Sequence, residues 1–463
     1  MSMTFKYQYL SPLTPSTPMR LNIRFLYLLP VLALVFTDRA FTEFAFPDED
    51  SPLLASYGLL LLGGSCGIVA LCYRYLGPLM QRWLLVVVAA LGVLALESYA
   101  GWQTWMVYPH VFAKFLVMIH VFAIYAFHRR FGPPPFGLLM SLLLLGLLAN
   151  LAIYHPDALS LSAFLDNERG FASTSAMLLL LPTLYYFNQY LTRGGLLRLL
   201  TFFMGAALII FLQHRSVWVA MGAALVLNAV LLLLGRVEGA RLSSARLLPM
   251  VLLPLFVLVS GGLVALSDPH VVKKLEASLN DIAHPNTRGT GSWRMKQFEV
   301  YQPYLAEYPV AGMRLKGFEL PVQFYTLAAN GGGDEQVWTD GTGHHFHSFY
   351  VDRLFYFGGL GVLLTLLVPL LVLGRRLLSR APLPPASAAL AVFTLSSLVY
   401  SISYDWPLYF FGLLGLSLAT AADPGRVPAP AAAAPPPHRQ PLQHFGPFPT
   451  PRHANAAAAA ARR

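Results

Sequence analysis

The sequence predicts an all-α integral membrane protein, with about twelve transmembrane helices and one large extramembrane loop that carries short amphipathic helices. Three observations predict it. Hydrophobic residues make up 56% of the 463 residues and charged residues only 12%, where soluble domains hold roughly 45–50% and 25%. Apolar runs approaching the roughly 20 residues that a bilayer core requires recur from end to end. Arginine and lysine collect in alternate links between those runs.

The runs fall at 21–37, 53–77, 83–100, 108–127, 136–154, 172–191, 195–213, 215–235, 246–267, 346–374, 387–403 and 405–422. The first has Pro30 near its middle, which lipid tolerates as a kink. No small-residue cleavage site follows it, and the charged stretch TDRAFTEF does, so it reads as a helix and not as a cleaved signal peptide. GWQTWMVYPH separates the third and fourth runs, and its aromatics and Pro109 suit an interfacial turn. Cys66 and Cys72 share one run; six residues apart on a helix, they point well away from each other and do not suit a disulfide. No internal repeat stands out.

Net charge is +10. The basic residues sit in RYLGPLMQR, HRRFGPPP, TRGGLLR, GRVEGARLSSAR and GRRLLSR, each between apolar runs, so membrane lipids and not nucleic acid are the expected partners of that charge. The links PDEDSP and HPDALSLSAFLDNERG, on the other side, are net acidic. The alternation places both termini in the cytoplasm. Residues 1–20 form a cytoplasmic segment, 21–422 the polytopic domain and 423–463 a Pro/Ala-rich cytoplasmic tail. That tail has no apolar pattern able to bury a core, and disorder is expected.

Residues 268–345 form the large loop, on the non-cytoplasmic face. VVKKLEASLNDI has helical spacing of Val272, Leu275, Leu279 and Ile282. WRMKQFEVYQPYLAEY sets Phe298, Tyr301, Leu305 and Tyr308 along one stripe, with Pro309 and Gly312 ending the helix. Aromatics on one side and charges on the other fit a helix in the headgroup layer; a plain cap on the bundle fits equally.

Three groups of residues carry candidate chemistry. Arg215, in FLQHRSVWVAMG, stands at a helix end. An arginine at bilayer depth faces either a cavity or the headgroups to which it snorkels. His214 beside it reads as an interfacial ring. TRGTGSWR supplies Arg288 and Arg294, whose planar forks grip phosphate oxygens; ordinary loop charge is the alternative. GHHFHSFYVDRLFYFGGLG places His347 and Ser348 at the start of a helix, whose partial positive charge favours a neutral imidazole able to accept a hydroxyl proton. HHFH lacks the i, i+4 histidine pair of a zinc helix, so no metal is expected, and His344 and His345 read as interfacial.

In order and spacing these groups resemble the O-antigen ligase and O-antigen polymerase superfamily of bacterial membrane glycosyltransferases. The resemblance covers roughly residues 195–375. It rests on Arg215 in QHRSVWVA, on Arg294 with Pro309 and Gly312, and on His347, Ser348, Tyr350, Gly358 and Gly361. The sequence departs from the pattern at Phe298, where tryptophan is usual, at GMRLKGF, where G-x-G is common, and at Ser348, where asparagine is common.

The resemblance implies a donor glycan on a polyprenyl diphosphate and a glycolipid or glycan acceptor. It implies transfer at the periplasmic face of the inner membrane, with inversion and with neither metal nor cofactor. His347 is then the base, and Arg215 and Arg294 stabilise the leaving diphosphate. Arg288, Arg314 and Tyr350 are the expected contacts to diphosphate or glycan, with Arg288 also eligible as the loop arginine of the pair. Ligase and polymerase share these marks, as does a protein O-glycosyltransferase. A transporter of lipid-linked glycans would instead require paired broken helices in the two halves.

Overall fold

The computed structural model describes residues 23–46, 51–166, 170–240, 242–257, 268–284, 290–320, 325–327, 334–336 and 346–422. These are helical almost throughout. The helices are α1 Leu29–Val35, α2 Arg39–Thr42, α3 Pro52–Cys72, α4 Gly77–Trp102, α5 Pro109–Leu116, α6 Met118–Phe131, α7 Phe136–Tyr154 and α8 Leu161–Asp166. There follow α9 Ser173–Arg193, α10 Leu196–Phe211, α11 Arg215–Leu233, α12 Ser244–Val257, α13 Pro269–Ala283 and α14 Thr290–Glu307. The last three are α15 Phe349–Leu378, α16 Pro385–Tyr400 and α17 Leu408–Ala421. Two three-residue strands, Tyr325–Leu327 and Asp334–Gln336, pair antiparallel with Tyr325 opposite Gln336. The tail expected from 423 onward, residues 1–22 and residues 258–267 lie outside the described residues.

Among the described residues, six stretches are long and apolar enough to cross a membrane: Pro52–Tyr75, Gly77–Trp102, Pro109–Phe131, Phe136–Tyr154, Arg215–Leu233 and Phe349–Leu378. The chain is therefore all-α with the character of a membrane-embedded protein. Each of the other six predicted runs also falls on a helix. Five of those helices are apolar but shorter. The sixth, α9, is 21 residues long and carries Asn188 and Gln189 among its buried residues.

The core is built where helices are apolar around most of their circumference. α6, α9, α16 and α17 are buried along most of their length. At Gly415 the α17 backbone comes so close to α6 that an added Cβ would stand 2.5 Å from the Val121 carbonyl oxygen, the close approach that small residues permit between membrane helices. α3 lies at the edge, with Leu59, Leu60 and Leu71 each more than 70% exposed.

The links sort to two ends. At the basic end, Arg129 donates to the Ala422 carbonyl and Tyr190 to that of Arg246, while Leu383 pairs with Arg236 and Glu238 through the backbone. At the opposite end, Asn150 and His155 of the α7 terminus reach Glu43, at 2.7 and 3.0 Å. Burial alone would raise the Glu43 carboxyl, but hydrogen bonds from Asn150 and His155 hold it below its ordinary value.

Two sequence expectations shift. Pro30 does not kink a helix: residues 23–28 form a 3₁₀ turn and Pro30 is the second residue of α1, in the first turn, where its missing N–H has no helical partner to lose. On α14 the buried face runs through Gln297 and Tyr301 with Tyr304 and Leu305 half-buried, whereas Phe298 and Tyr308 are exposed. The stripe is turned by about one position because Tyr301 packs edge-on against Phe346 and Phe355, at 4.8 and 5.2 Å, and not against a headgroup layer alone.

α15 is broken at Gly358, which has φ 62° and ψ −160°. The segment Pro309–Met313 lies across the break and bonds to it as a strand would. Gly359 and Leu360 donate to the carbonyls of Pro309 and Val310, at 2.8 and 3.0 Å, and Met313 donates to that of Phe355, at 2.8 Å. Gly312, with φ 61°, faces Gly358 across this contact. A Cβ on Gly312 would stand 2.4 Å from the Phe357 nitrogen, and one on Gly358 would stand 2.4 Å from the Val310 carbonyl. Both conformations belong to glycine. Gly358→Ala should therefore lower stability by about 1–3 kcal/mol for the backbone alone, seen as an earlier melting transition in detergent. Gly359→Ala, whose Cβ would rest 3.5 Å from the Pro309 oxygen, should melt close to wild type. Equal melting of all three proteins would refute the account of the break.

Candidate functional site

The starts of α9, α11, α15 and α17 meet at the end opposite the basic links. Ser348 caps α15: its Oγ accepts from the Val351 amide, at 3.5 Å, and donates to the Ser401 carbonyl, at 3.4 Å. The Phe349 amide donates to the same carbonyl, at 3.1 Å. From there a chain of rings runs outward and across. Tyr400 stacks on Tyr404 with centroids 5.1 Å apart, and Tyr404 meets the His347 ring edge-on at 6.4 Å. The Tyr400 hydroxyl lies 3.1 Å from Ser173 Oγ at the start of α9, and Tyr409 donates to the Thr174 carbonyl, at 2.7 Å. His214 Nε2 donates to the Phe171 carbonyl, at 2.8 Å, directly before Arg215 opens α11.

Asp38 lies buried at this end, accepting from Ser175 Oγ at 2.7 Å. Burial pushes its carboxyl up to about 6, against the lowering effect of Ser175.

The sequence-derived residues distribute as follows. His347 is exposed and stands immediately before the Ser348 cap of α15. Arg215 is the half-buried first residue of α11, at the same end of the bundle. His214 is buried, at 5% exposure, and anchors backbone; the interfacial ring expected for it is corrected to a structural one. Arg294 belongs to α14, two turns before Tyr301 and in the same helical phase, and its side chain lies outside the described ones. Arg288, His344 and His345 lie outside the described residues. The Tyr350 hydroxyl donates to the Leu398 carbonyl, at 3.0 Å, which ties α15 to α16. Arg314 Nε lies 2.7 Å from Glu97 Oε2 on α4. Among the described residues no group of three or more His, Cys, Asp or Glu is placed to hold a metal ion.

Sequence reasoning passed over a second cluster that begins within the same motif. Asp352 and Arg353 are 1% and 2% exposed. Asp352 accepts from Lys114 Nζ of α5, at 2.5 Å, and pairs through its other oxygen with Arg353. The Lys114 ammonium also stands over the Tyr356 ring at 4.7 Å, and the Arg353 guanidinium over the Phe349 ring at 4.9 Å. Asp405, at the rim beside Tyr404, lies 3.8 Å from Arg353. Two cations and two anions thus balance within a helix bundle. Charges at such depth are costly and normally pair or line a functional cavity. The available signal was an Asp-Arg pair inside an apolar run; what sequence could not supply was Lys114, 238 positions away.

These contacts give one end of the bundle an exposed imidazole at a helix start, an arginine at a second helix start, and a buried charge network directly beneath the first. An exposed imidazole can accept a proton and an arginine can oppose anionic charge, and the two stand at helix starts on one end of the bundle. No protein-family model matches the chain, and a search of curated proteins finds no relative.

Proposed function

We propose that this chain is an O-antigen ligase-type membrane glycosyltransferase that moves a glycan from a polyprenyl diphosphate carrier to an acceptor hydroxyl. In this reading twelve helices cross a bacterial inner membrane, both termini are cytoplasmic, and the 268–345 loop and the site face the periplasm. The single observation that carries it is the ordered set Arg215, Arg294 and His347, with its flanking Pro309, Gly312, Gly358 and Gly361. The positions of Arg215 and His347 at helix starts on one end of the bundle support it.

The chemistry balances without a metal. The acceptor oxygen attacks the anomeric carbon and its proton passes to the His347 imidazole. The bond from that carbon to the diphosphate oxygen breaks, and the polyprenyl diphosphate leaves with the electron pair. Arg215 and Arg294 oppose the charge that grows on the leaving oxygen. Attack from the face opposite the leaving group inverts the anomeric centre. Arg288, Arg314 and Tyr350 would add contacts to diphosphate or glycan.

The test supplies purified protein with lipid-linked oligosaccharide and candidate acceptors, and identifies products by mass. Acceptor-linked glycan with free polyprenyl diphosphate is expected. Lengthened lipid-linked glycan would replace the ligase with a polymerase acting through the same site. If neither bond forms under any acceptor, the transferase reading fails.

A further inference from the structure

The link between α4 and α5, read along GWQTWMVYPH, is a pinned turn that displays aromatic rings. Gln103 caps α4 with φ 57° and donates its amide to the Tyr99 carbonyl, at 2.9 Å. Ser98 is wholly buried. Its Oγ donates to the Thr104 carbonyl, at 2.5 Å, and accepts from the Val107 amide, at 2.9 Å, so one side chain holds the turn at two points. Trp105 stands at the tip, 60% exposed, with one ring face stacked on Tyr99 at 4.6 Å. The opposite face of the indole is open.

A carboxylate is fixed at the foot of the same turn. Trp102 Nε1 donates to Glu319 Oε1, at 2.8 Å, and the Tyr108 hydroxyl donates to the same oxygen. Glu319 is exposed, and among the described residues nothing donates to its other oxygen. Tyr108 stacks on Phe318 at 4.3 Å, which ties the 3₁₀ turn Arg314–Glu319 to the link. In a plain interfacial belt the polar ends of Trp and Tyr face headgroups and water. Here both are used to place one carboxylate. Glu97 pairs with Arg314 beside it, and Lys316 is exposed. Two carboxylates and two cations cancel, so the patch has no net charge to attract a phosphate or a cation. An open ring face beside a fixed acceptor suits an uncharged sugar: its C–H face packs on an indole and its hydroxyls donate to a carboxylate.

We propose that the α4–α5 turn is a carbohydrate subsite, in which an uncharged pyranose rests on the open face of Trp105 and hydroxyls of that sugar or its neighbour donate to Glu319. The turn lies at the end of the bundle where α15 starts. Tyr108 and Lys114 are six positions apart, about 9 Å along α5, and Lys114 bonds Asp352, five positions after His347. The subsite thus grips a glycan away from the base, on a sugar that does not react, and favours chains long enough to reach both. That this glycan is the donor's or the acceptor's rests on the glycosyltransferase reading; that the turn binds sugar does not.

The probes are uncharged gluco-, galacto-, manno- and rhamno-oligosaccharides, short and long, added to the full-length protein in phosphatidylcholine nanodiscs. Binding is read as saturation transfer from the protein's aromatic protons to sugar C–H protons. At least one series should bind, its long members more tightly. Trp105→Ala should weaken binding about tenfold, and Trp105→Phe by less, since it keeps a smaller ring face. Glu319→Gln should weaken it several-fold. Trp105→Ala should melt with wild type, because the ring is exposed. Binding by no series, or binding unchanged by Trp105→Ala, would overturn the proposal. So would a Trp105→Ala protein that binds sugar normally but sorts differently among bilayers of different thickness, which would make the turn an interfacial anchor. Glycan transfer is measured in the same nanodiscs, where Trp105→Ala should raise KM for long glycans and leave kcat unchanged. Sugar binding that depends on Trp105, without transfer by the wild type, would leave the subsite standing and remove the transferase reading. Transfer whose KM is unmoved by Trp105→Ala would keep the transferase and remove the subsite.

Discussion

His347→Ala is expected to remove most glycan transfer, by about 10²–10⁴-fold, while donor retention stays close to wild type. A general base acts mainly in the transition state, so its loss falls on turnover and not on binding. The position suits that role: His347 is exposed, precedes a helix start and is steadied from one side by Tyr404. Arg215→Ala should behave differently, weakening donor retention and turnover together, because diphosphate charge is present before the bond breaks and grows as it does. Arg215→Lys should recover part of the loss, since a point charge lacks the planar fork. The measurements are turnover with lipid-linked oligosaccharide and retention of labelled donor on immobilised protein. A His347→Ala protein that transfers at the wild-type rate would end the assignment of the base.

Asp352→Ala should be the most destabilising single change at this end of the bundle. It leaves Lys114 and Arg353 facing each other without their shared carboxylate, the situation that typically costs 3–5 kcal/mol for a buried pair. Asp405 cannot replace it, since it sits at the rim, 3.8 Å from Arg353. The loss should appear as a much earlier melting transition in detergent. Adding Lys114→Met should restore part of it by removing one of the stranded charges, whereas Lys114→Met alone should cost less than Asp352→Ala. If Asp352→Ala melts with wild type, the carboxylate is not holding the network together.

The two clusters show what sequence reading reaches here and what it misses. Helix positions were legible because apolar runs and flanking arginines report them locally; α7 begins and ends at the predicted residues 136 and 154. His347 and Ser348 were legible as a helix start because capping is local chemistry. Asp352 and Arg353 were visible only as charges in an apolar run, and their meaning depended on a lysine on a distant helix. The face of α14 was misjudged by a turn of about one position. Its aromatics suit a headgroup layer and a cap on the bundle equally by sequence, and the protein partners of Tyr301, Phe346 and Phe355, accord with the cap. Gly358 and Gly361 were legible as glycines of the histidine motif, but not that Gly358 would break the helix and receive the Pro309–Met313 segment.

That break also constrains motion. Lifting Pro309–Met313 away would expose the amides of Gly359 and Leu360 and the Phe355 carbonyl, each at a cost of a few kcal/mol where water cannot reach them. The segment is therefore a rivet and not a flap. Any movement of the preceding helices must pivot on the N-terminal side of Pro309, through α13 and α14, with 309–313 as its fixed axle. Amide exchange should show the pattern directly: Gly359 and Leu360 among the slowest protons of the chain, and α13 exchanging long before them.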